Sequence, residues 1–429
     1  MSGSSAFMAI AHIFLCYFLF LSFNNPFGHG ATVVEKNNSH AMPSHCLGPR
    51  KGLRVVHKYG PCSPFGLKKS TTVSSQILAQ DDRRVRLIYS GVYNRRAGVH
   101  GRAGDHDFLK DSLGASNYVV QVGFGTPVQT FHLIIDTGSY KTWVQCQPPT
   151  MFSCPTQRNQ SLYYPSCSST YSNTTCSAPP CNENDGEKYK DKSEVAGTYM
   201  VDTLHIEDEY EIPKFVFLCA DHVEGNFDDA NGILGLGLGS TGYGGNYALT
   251  SQTAAMFHKV FCYCLPQLED SNGYVYFGDK ARENCPFSGS YTPLLRGTLD
   301  PSFYHVNLIA ITIGQKRVDI GTASGFKGLM LKYPPVAPPE EDGNVLDTCY
   351  NLEGYGKPEI PTMVLHFENL DLNLDETAVT WKANGMSQVC LAFAETKDGL
   401  AIIGNHQQQK RNILYNIPDQ RVEIGPGNC

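Results

Sequence analysis

FHLIIDTGSYKTW, residues 131–143, decides how this 429-residue chain is read. An apolar, strand-like run enters Asp136-Thr137-Gly138 and leaves as a turn. Gly138 permits the turn and the Thr137 hydroxyl can tie it to its surroundings, with Ser139 completing the support. Taken alone, D-T-G is an ordinary turn. As chemistry it is half of something: one carboxylate cannot be both the base that takes a proton from water and the acid that gives one back. The rest of the chain has to supply the other half.

Bulk composition bounds the class. With 41% hydrophobic and 17% charged residues the chain can bury two cores. The formal charge of −7 is the wrong sign for neutralising phosphates, so nucleic acid is excluded as a partner. Residues 6–23, AFMAIAHIFLCYFLFLSF, form the one long apolar run and are followed by small and polar residues. They are read as part of a signal peptide over 1–26, in preference to an uncleaved anchor, which leaves no stable membrane partner after its removal.

Cysteine usage agrees with export. Of 15 cysteines, Cys16 would leave with the signal, and the rest form a dense, even set suited to disulfides in an oxidising compartment. Their pairing is not readable from sequence. Sequons at Asn37, Asn159 and Asn173 permit N-glycosylation. Cys262-Tyr263-Cys264 lacks the second spaced pair and histidines of a zinc site, so it reads as two half-cystines on a buried strand, and neither a metal nor a cofactor is expected. GILGLGLG (232–239) is rich enough in glycine for a phosphate loop but has no Lys-Ser/Thr after it.

The texture of the chain changes near residue 116. Residues 27–115 are rich in Lys, Arg, Ser and His and include a charged, helix-compatible stretch from Ser74 to Arg96; they read as a removable or auxiliary segment. From Asn117 the pattern is all-β, with NYVVQVGF, FHLIID, KFVFLC, YVYFG, FYHVNLIAITI, TMVLHF and QVCLAF separated by Gly, Pro, Asn and Asp. There is also a coarse duplication. Asp136-Thr137-Gly138 is followed by Gly232-Ile233-Leu234-Gly235, and Ile402-Ile403-Gly404-Asn405 repeats the apolar-apolar-Gly element near the C-terminus. A glycine there lets a strand pass close behind a turn.

These motifs, together with FCYCLP (261–266), LDTCYNLEGY (346–355), IPTMVLHF (360–367) and AIIGNHQQQ (401–409), resemble the pepsin-like aspartic proteases and, among them, the plant nepenthesin-like branch. VVHKYGPCSP (55–64) is similar to prosegments of that branch. The resemblance implies a prosegment over 27–115, a β lobe over 116–285, a second over 286–429, a cleft between them and a secreted monomer, in the cell wall or vacuole, acting on protein or peptide substrates. It implies catalysis by Asp136 paired with an Asp of the second lobe, the two sharing a proton so that one is base toward water and the other acid toward the scissile carbonyl. It also implies a hairpin flap carrying Tyr189, with Trp143 behind it.

The second half is where this chain departs. Between Gly314 and Leu346 there is no D-[ST]-G. Asp319 supplies a carboxylate followed by Ile320-Gly321, with no hydroxyl at the middle position, and is the weak local substitute. In the flap, Lys190 and Lys192 stand where the family has glycine. Three expectations follow: a secreted aspartic endopeptidase homologue with impaired proteolysis, a non-catalytic binding or inhibitor protein on the same fold like the xylanase inhibitors, or an incomplete product of an active protease gene. A homodimer pairing two copies of Asp136 is disfavoured because residues 117–429 already hold both lobes. Loss of a strand and helix from the second lobe should also leave apolar surface exposed near the cleft.

Overall fold

A computed structural model describes residues 46, 52–66, 77–82, 85, 117–147, 153–173, 185–188, 194–224, 230–239, 247–270, 272–286, 289–295, 302–318, 329–338, 345–382, 387–394 and 401–429. The expected signal, Asn37, Tyr189 and Asp319 lie outside these residues. No helix among the described residues is long and apolar enough to cross a membrane.

The fold is all-β and bilobal, as the strand pattern predicts. In chain order the first lobe and its approach contain β1 (Leu53–His57), β2 (Tyr118–Phe124), β3 (Gln129–Asp136), β4 (Trp143–Gln145), β5 (Ser172–Asn173), β6 (Asp185–Lys188), β7 (Glu194–Ile206), β8 (Tyr210–Glu224) and β9 (Gly232–Gly235). Then come β10 (Val260–Cys264), β11 (Gly273–Phe277) and β12 (Tyr291–Pro293). The second lobe adds β13 (Leu308–Ile313), β14 (Lys316–Val318), β15 (Pro335–Val336), β16 (Cys349–Asn351), β17 (Met363–Phe367), β18 (Leu370–Leu374), β19 (Thr380–Lys382) and β20 (Gln388–Leu391). Two last strands, β21 (Arg411–Asn416) and β22 (Arg421–Pro426), return to the middle of the molecule.

One 14-stranded sheet runs β12-β22-β21-β10-β11-β1-β2-β3-β9-β4-β8-β7-β5, with β6 on β7. It is continuous from the first lobe into the junction because β21 pairs with β10. The second lobe holds two four-stranded sheets, β14-β13-β17-β18 and β15-β16-β20-β19, around a core that includes Met330, Leu365, Leu372 and Val379.

β3 shows why FHLIID is nearly continuous in apolar residues. Phe131, Leu133 and Ile135 face the main core with Phe124, Phe217 and Leu234, while Ile134 on the opposite face packs with Trp143, Leu218 and Ile233. A strand covered on both sides has little use for polar alternation.

The segment expected to be auxiliary is built into the sheet. β1 pairs antiparallel with β11 on one edge and β2 on the other, and Leu53, Val55, Val56, His57 and Lys58 are buried. The helical residues 77–82 follow, with Leu78 packed on Leu346, Cys349 and Cys390. Six disulfides join described cysteines: Cys46–Cys62, Cys146–Cys219, Cys154–Cys167, Cys262–Cys285, Cys264–Cys429 and Cys349–Cys390. Cys262 and Cys264 are half-cystines on the fully buried β10, as their spacing without a second pair suggests.

Three large apolar side chains of the second lobe are exposed, none of them on the lining of the cleft. Ile309 is 50% exposed, Leu329 47% and Leu331 83%.

Candidate active site

Asp136 ends β3, where the chain must turn to start β4. Its Oδ1 accepts a hydrogen bond from the Gly138 N–H at 2.8 Å and its Oδ2 accepts one from the Ser139 hydroxyl. Asp136 and Ser139 are buried. Behind the turn, β9 runs parallel to β3 with Asp136 opposite Gly235, the Leu236 N–H donates to the Asp136 carbonyl at 2.8 Å, and the Gly235 N–H donates to Thr142 Oγ1 at 3.2 Å. A Cβ on Gly235 would lie 2.6 Å from the Lys141 carbonyl oxygen, so only glycine fits there.

The repeat of that element behaves differently. Residues 401–404 form no strand, and a Cβ on Gly404 would meet nothing nearer than Gln407 Oε1 at 3.8 Å among the described residues. In the first lobe a turn presses on the glycine; among the described residues no backbone presses on Gly404.

Across from Asp136 the junction presents phenols. The Tyr304 hydroxyl donates to the Leu236 carbonyl at 2.7 Å, directly behind the Asp136 turn. The Tyr415 hydroxyl interacts with the Thr137 side chain and lies 3.2 Å from the Tyr263 hydroxyl, which in turn bonds Gln408 Oε1. Burial holds all three well on the protonated side, pushing each phenol above its ordinary pKa. They can donate or accept hydrogen bonds but cannot serve as bases.

A cleft of about 690 Å³ opens from Asp136 toward the second lobe. It brings Asp136, Thr137 and Gly138 together with Asp81, Asp82, Asp347, Tyr304 and Tyr415. Asp347 is exposed and its Oδ1 accepts from the Thr348 hydroxyl at 2.6 Å. Sequence reading did not single out Asp81, Asp82 or Asp347 for the cleft. The Asp347-Thr348 pair inside LDTCY was the available signal for Asp347, since Cys349 bonded to Cys390 fixes that strand beside the cleft. No signal marks the tyrosines, which look like core.

Other anticipated residues fall into place to different degrees. Trp143 is buried in a cluster with Val56, Cys62 and Leu218. β6 and β7 pair antiparallel with Lys188 opposite Glu194, while the expected flap residues 189–193 lie outside the described residues. Tyr140 and Lys141, which follow the turn, are buried, with the Lys141 ammonium 6.0 Å from the Tyr140 ring centre. Asn159 is exposed in a turn where its Oδ1 accepts from the Ser161 N–H, and Asn173 lies on β5. No cluster of three or more metal-ligating side chains occurs among the described residues.

With this geometry in hand, the likenesses to known proteins are specific. The family model described as xylanase inhibitor N-terminal matches residues 118–279, and the one described as xylanase inhibitor C-terminal matches 330–426. The segment without a second D-[ST]-G, between Gly314 and Leu346, straddles the start of the second match. An aspartyl protease family protein of Arabidopsis thaliana is 31% identical over 89% of this chain and 88% of its own. The aspartic proteinase nepenthesin-2 of Nepenthes gracilis is 27% identical, over 74% of this chain and 78% of its own. The crystal structure of conglutin gamma from lupine seeds shares the fold with a TM-score of 0.53 and 16% identity, covering 72% of this chain and 91% of that one. The chain belongs to the plant aspartyl protease family, of the pepsin-like, nepenthesin-like kind.

Proposed function

We propose that this chain is an exported member of the aspartic endopeptidase family, directed to the cell exterior or vacuole, whose peptide-bond hydrolysis is impaired or lost. The observation that carries the reading is the absence of a D-[ST]-G between Gly314 and Leu346, alongside the contrast between Gly235, pinned behind the Asp136 turn, and Gly404, whose Cβ position meets only Gln407 Oε1 among the described residues. The mechanism of the family needs two carboxylates sharing one proton, and the buried tyrosines across the junction, whose pKa values burial raises further, are far weaker acids than the carboxylic acid that the second part calls for. Asp136 would remain the nucleophile-activating base of a half-site supported by Thr137, Gly138 and Ser139, with the peptide closed over by the flap at Tyr189. Removing one member of a catalytic pair that acts as a unit costs about 10⁴ or more in rate.

The test is to express the full chain, expose it to acid, and follow cleavage of a denatured protein substrate with and without pepstatin. The expected result is no pepstatin-sensitive turnover. Pepstatin-sensitive turnover abolished by Asp136→Asn would overturn the reading and direct attention to Asp319 and Asp347. A transcript with an in-frame D-[ST]-G segment between Ile320 and Phe326 would instead mark this chain as a shortened form of an active protease.

A second reading is a non-catalytic binding protein that uses the same fold to hold another protein, as the description of the two matching family models suggests for their members. Titration against a panel of xylanases tests it, and absence of any complex counts against it.

A further inference from the structure

The outer face of the second lobe carries a hydrogen-bonded chain of three side chains away from the cleft. In the sheet β14-β13-β17-β18, Phe367 and Leu372 are buried and line the cleft, so by strand alternation their neighbours His366 and Asp371 stand on the opposite face. These two are paired across the β17–β18 ladder, with His366 Nδ1 2.7 Å from Asp371 Oδ1. On its other side His366 is opposite Ala310 of β13, whose small side chain leaves the ring room to lean toward the diagonal neighbour, Thr312. His366 Nε2 lies 2.7 Å from Thr312 Oγ1. The partners fix the roles of the two nitrogens. An ionised carboxylate only accepts, so Nδ1 carries the proton and donates to Asp371, which leaves Nε2 to accept from the Thr312 hydroxyl. The chain is open to solutes, because the side chain of His366 is 16% exposed and that of Asp371 64%. Arg317, exposed on the edge strand β14, is directly opposite Thr312 in the β13–β14 ladder.

We propose that Thr312, His366, Asp371 and Arg317 form a second hydrolytic site, acting on small carboxylic esters. A hydroxyl that donates to an imidazole, itself oriented by a carboxylate, is the arrangement that makes an alcohol a nucleophile. Thr312 Oγ1 attacks the carbonyl carbon while His366 Nε2 takes its proton, and the Arg317 guanidinium holds the oxygen that becomes negative. The bond to the alcohol oxygen then breaks, and the alcohol leaves with the proton held by His366. Water attacks the ester formed on Thr312, its proton passes through His366 back to Thr312 Oγ1, and the carboxylic acid departs. Ester and water are consumed, acid and alcohol are formed, and no redox partner is needed. Asp371 is a positioning residue, since it acts through His366. An ester suits the site better than a peptide bond, because an alcohol leaves more readily than an amine and a solvated Arg317 is a modest support for charge. Small substrates are those that reach a hydroxyl on an open strand face. The site is on the far side of the sheet from Asp136, so it neither needs nor replaces chemistry in the cleft.

The experiment uses the full chain with p-nitrophenyl acetate, and in a separate sample an alkyl fluorophosphonate followed by peptide mass mapping. Turnover should exceed the buffer rate by about a hundredfold or more and be indifferent to pepstatin. The phosphonate should be found on Thr312, with fluoride released. Thr312→Val, His366→Gln and the double variant should fall to one residual rate within about threefold, as members of a single unit do, while Thr312→Ser retains turnover. Asp371→Asn should lower it about tenfold or more, and Asp371→Glu should retain most of it. Arg317→Ala should lower kcat with KM nearly unchanged. His258→Asn, at an exposed histidine on another element whose left-handed backbone asparagine tolerates, should change nothing, which separates this site from ester hydrolysis by surface imidazoles in general. Should Thr312→Val or His366→Gln misfold, the exposed Asp371 variants and the mapped adduct still decide. Turnover that survives in folded Thr312→Val or in Asp371→Asn, or the absence of an adduct on Thr312, would overturn the proposal. Pepstatin-sensitive cleavage of a protein substrate would bear on Asp136 and the proposed function alone.

Discussion

Gly235 and Gly404 hold equivalent places in the sequence repeat and opposite places in the energetics. At Gly235 a Cβ would lie 2.6 Å from one backbone oxygen and 2.8 Å from another, and backbone cannot step aside as a side chain can. Gly235→Ala should therefore cost about 1–3 kcal/mol, whereas Gly404→Ala should stay within about 0.5 kcal/mol; urea unfolding of the two variants reads the difference directly. A second residue, His57, sets a pH response. It is buried on β1, edge-on to Tyr118, and burial followed by the neighbouring Lys58 charge lowers its pKa to about 3. When β1 opens, the ring recovers its ordinary value near 6.5, so between those limits the open state binds a proton that the closed state does not. Seating of β1 is then fully stable above about pH 6.5 and weakens as pH falls, by at most about 1.4 kcal/mol per pH unit, levelling off below about pH 3. Protection factors of the β1 amides, each referred to the intrinsic exchange rate at its pH, should fall between pH 7 and 4, and His57→Asn should flatten that dependence.

At the scale of elements, β1 is the joint on which the sheet depends. Without it β11 and β2 would each present an unpaired edge and the sheet would be cut between the junction and the first lobe. A chain beginning at residue 116 should thus be largely insoluble when expressed alone, and co-expression of residues 46–85 should restore soluble protein; equal soluble yield for both preparations would contradict this role. The sequence was legible where pattern has one meaning. Strand runs such as FHLIID and YVYFG and the Asp136 turn with its glycine-backed strand could be read because spacing and residue type admit few other structures. β1 was less legible, since its surroundings are basic and polar and its partner strand lies far away in sequence. Asp347 and the tyrosines of the cleft were hidden for a related reason: a residue's presence at a cleft depends on which distant strands meet, and no local period encodes that.

For the molecule as a whole, disulfides tie distant parts of the chain together. Cys264–Cys429 closes a separation of 165 residues and ties the chain's last residue to buried β10. Cys429→Ser should lower the unfolding free energy by about 2–5 kcal/mol, measured by denaturant titration under non-reducing conditions. Leu331, 83% exposed, contributes little to the fold. Leu331→Lys should leave the same midpoint within about 0.5 kcal/mol and reduce self-association at high concentration, as followed by light scattering.

The position of β1 also bears on how the protein is made. Its partner β2 emerges from the ribosome soon after it, but β11 begins at Gly273, roughly two hundred residues later. At about 5–20 residues per second, β1 spends on the order of ten to forty seconds with one hydrogen-bonding edge unclaimed. A nascent chain in that state is a template for wrong pairings, so its safe assembly depends on whatever shields that edge during synthesis.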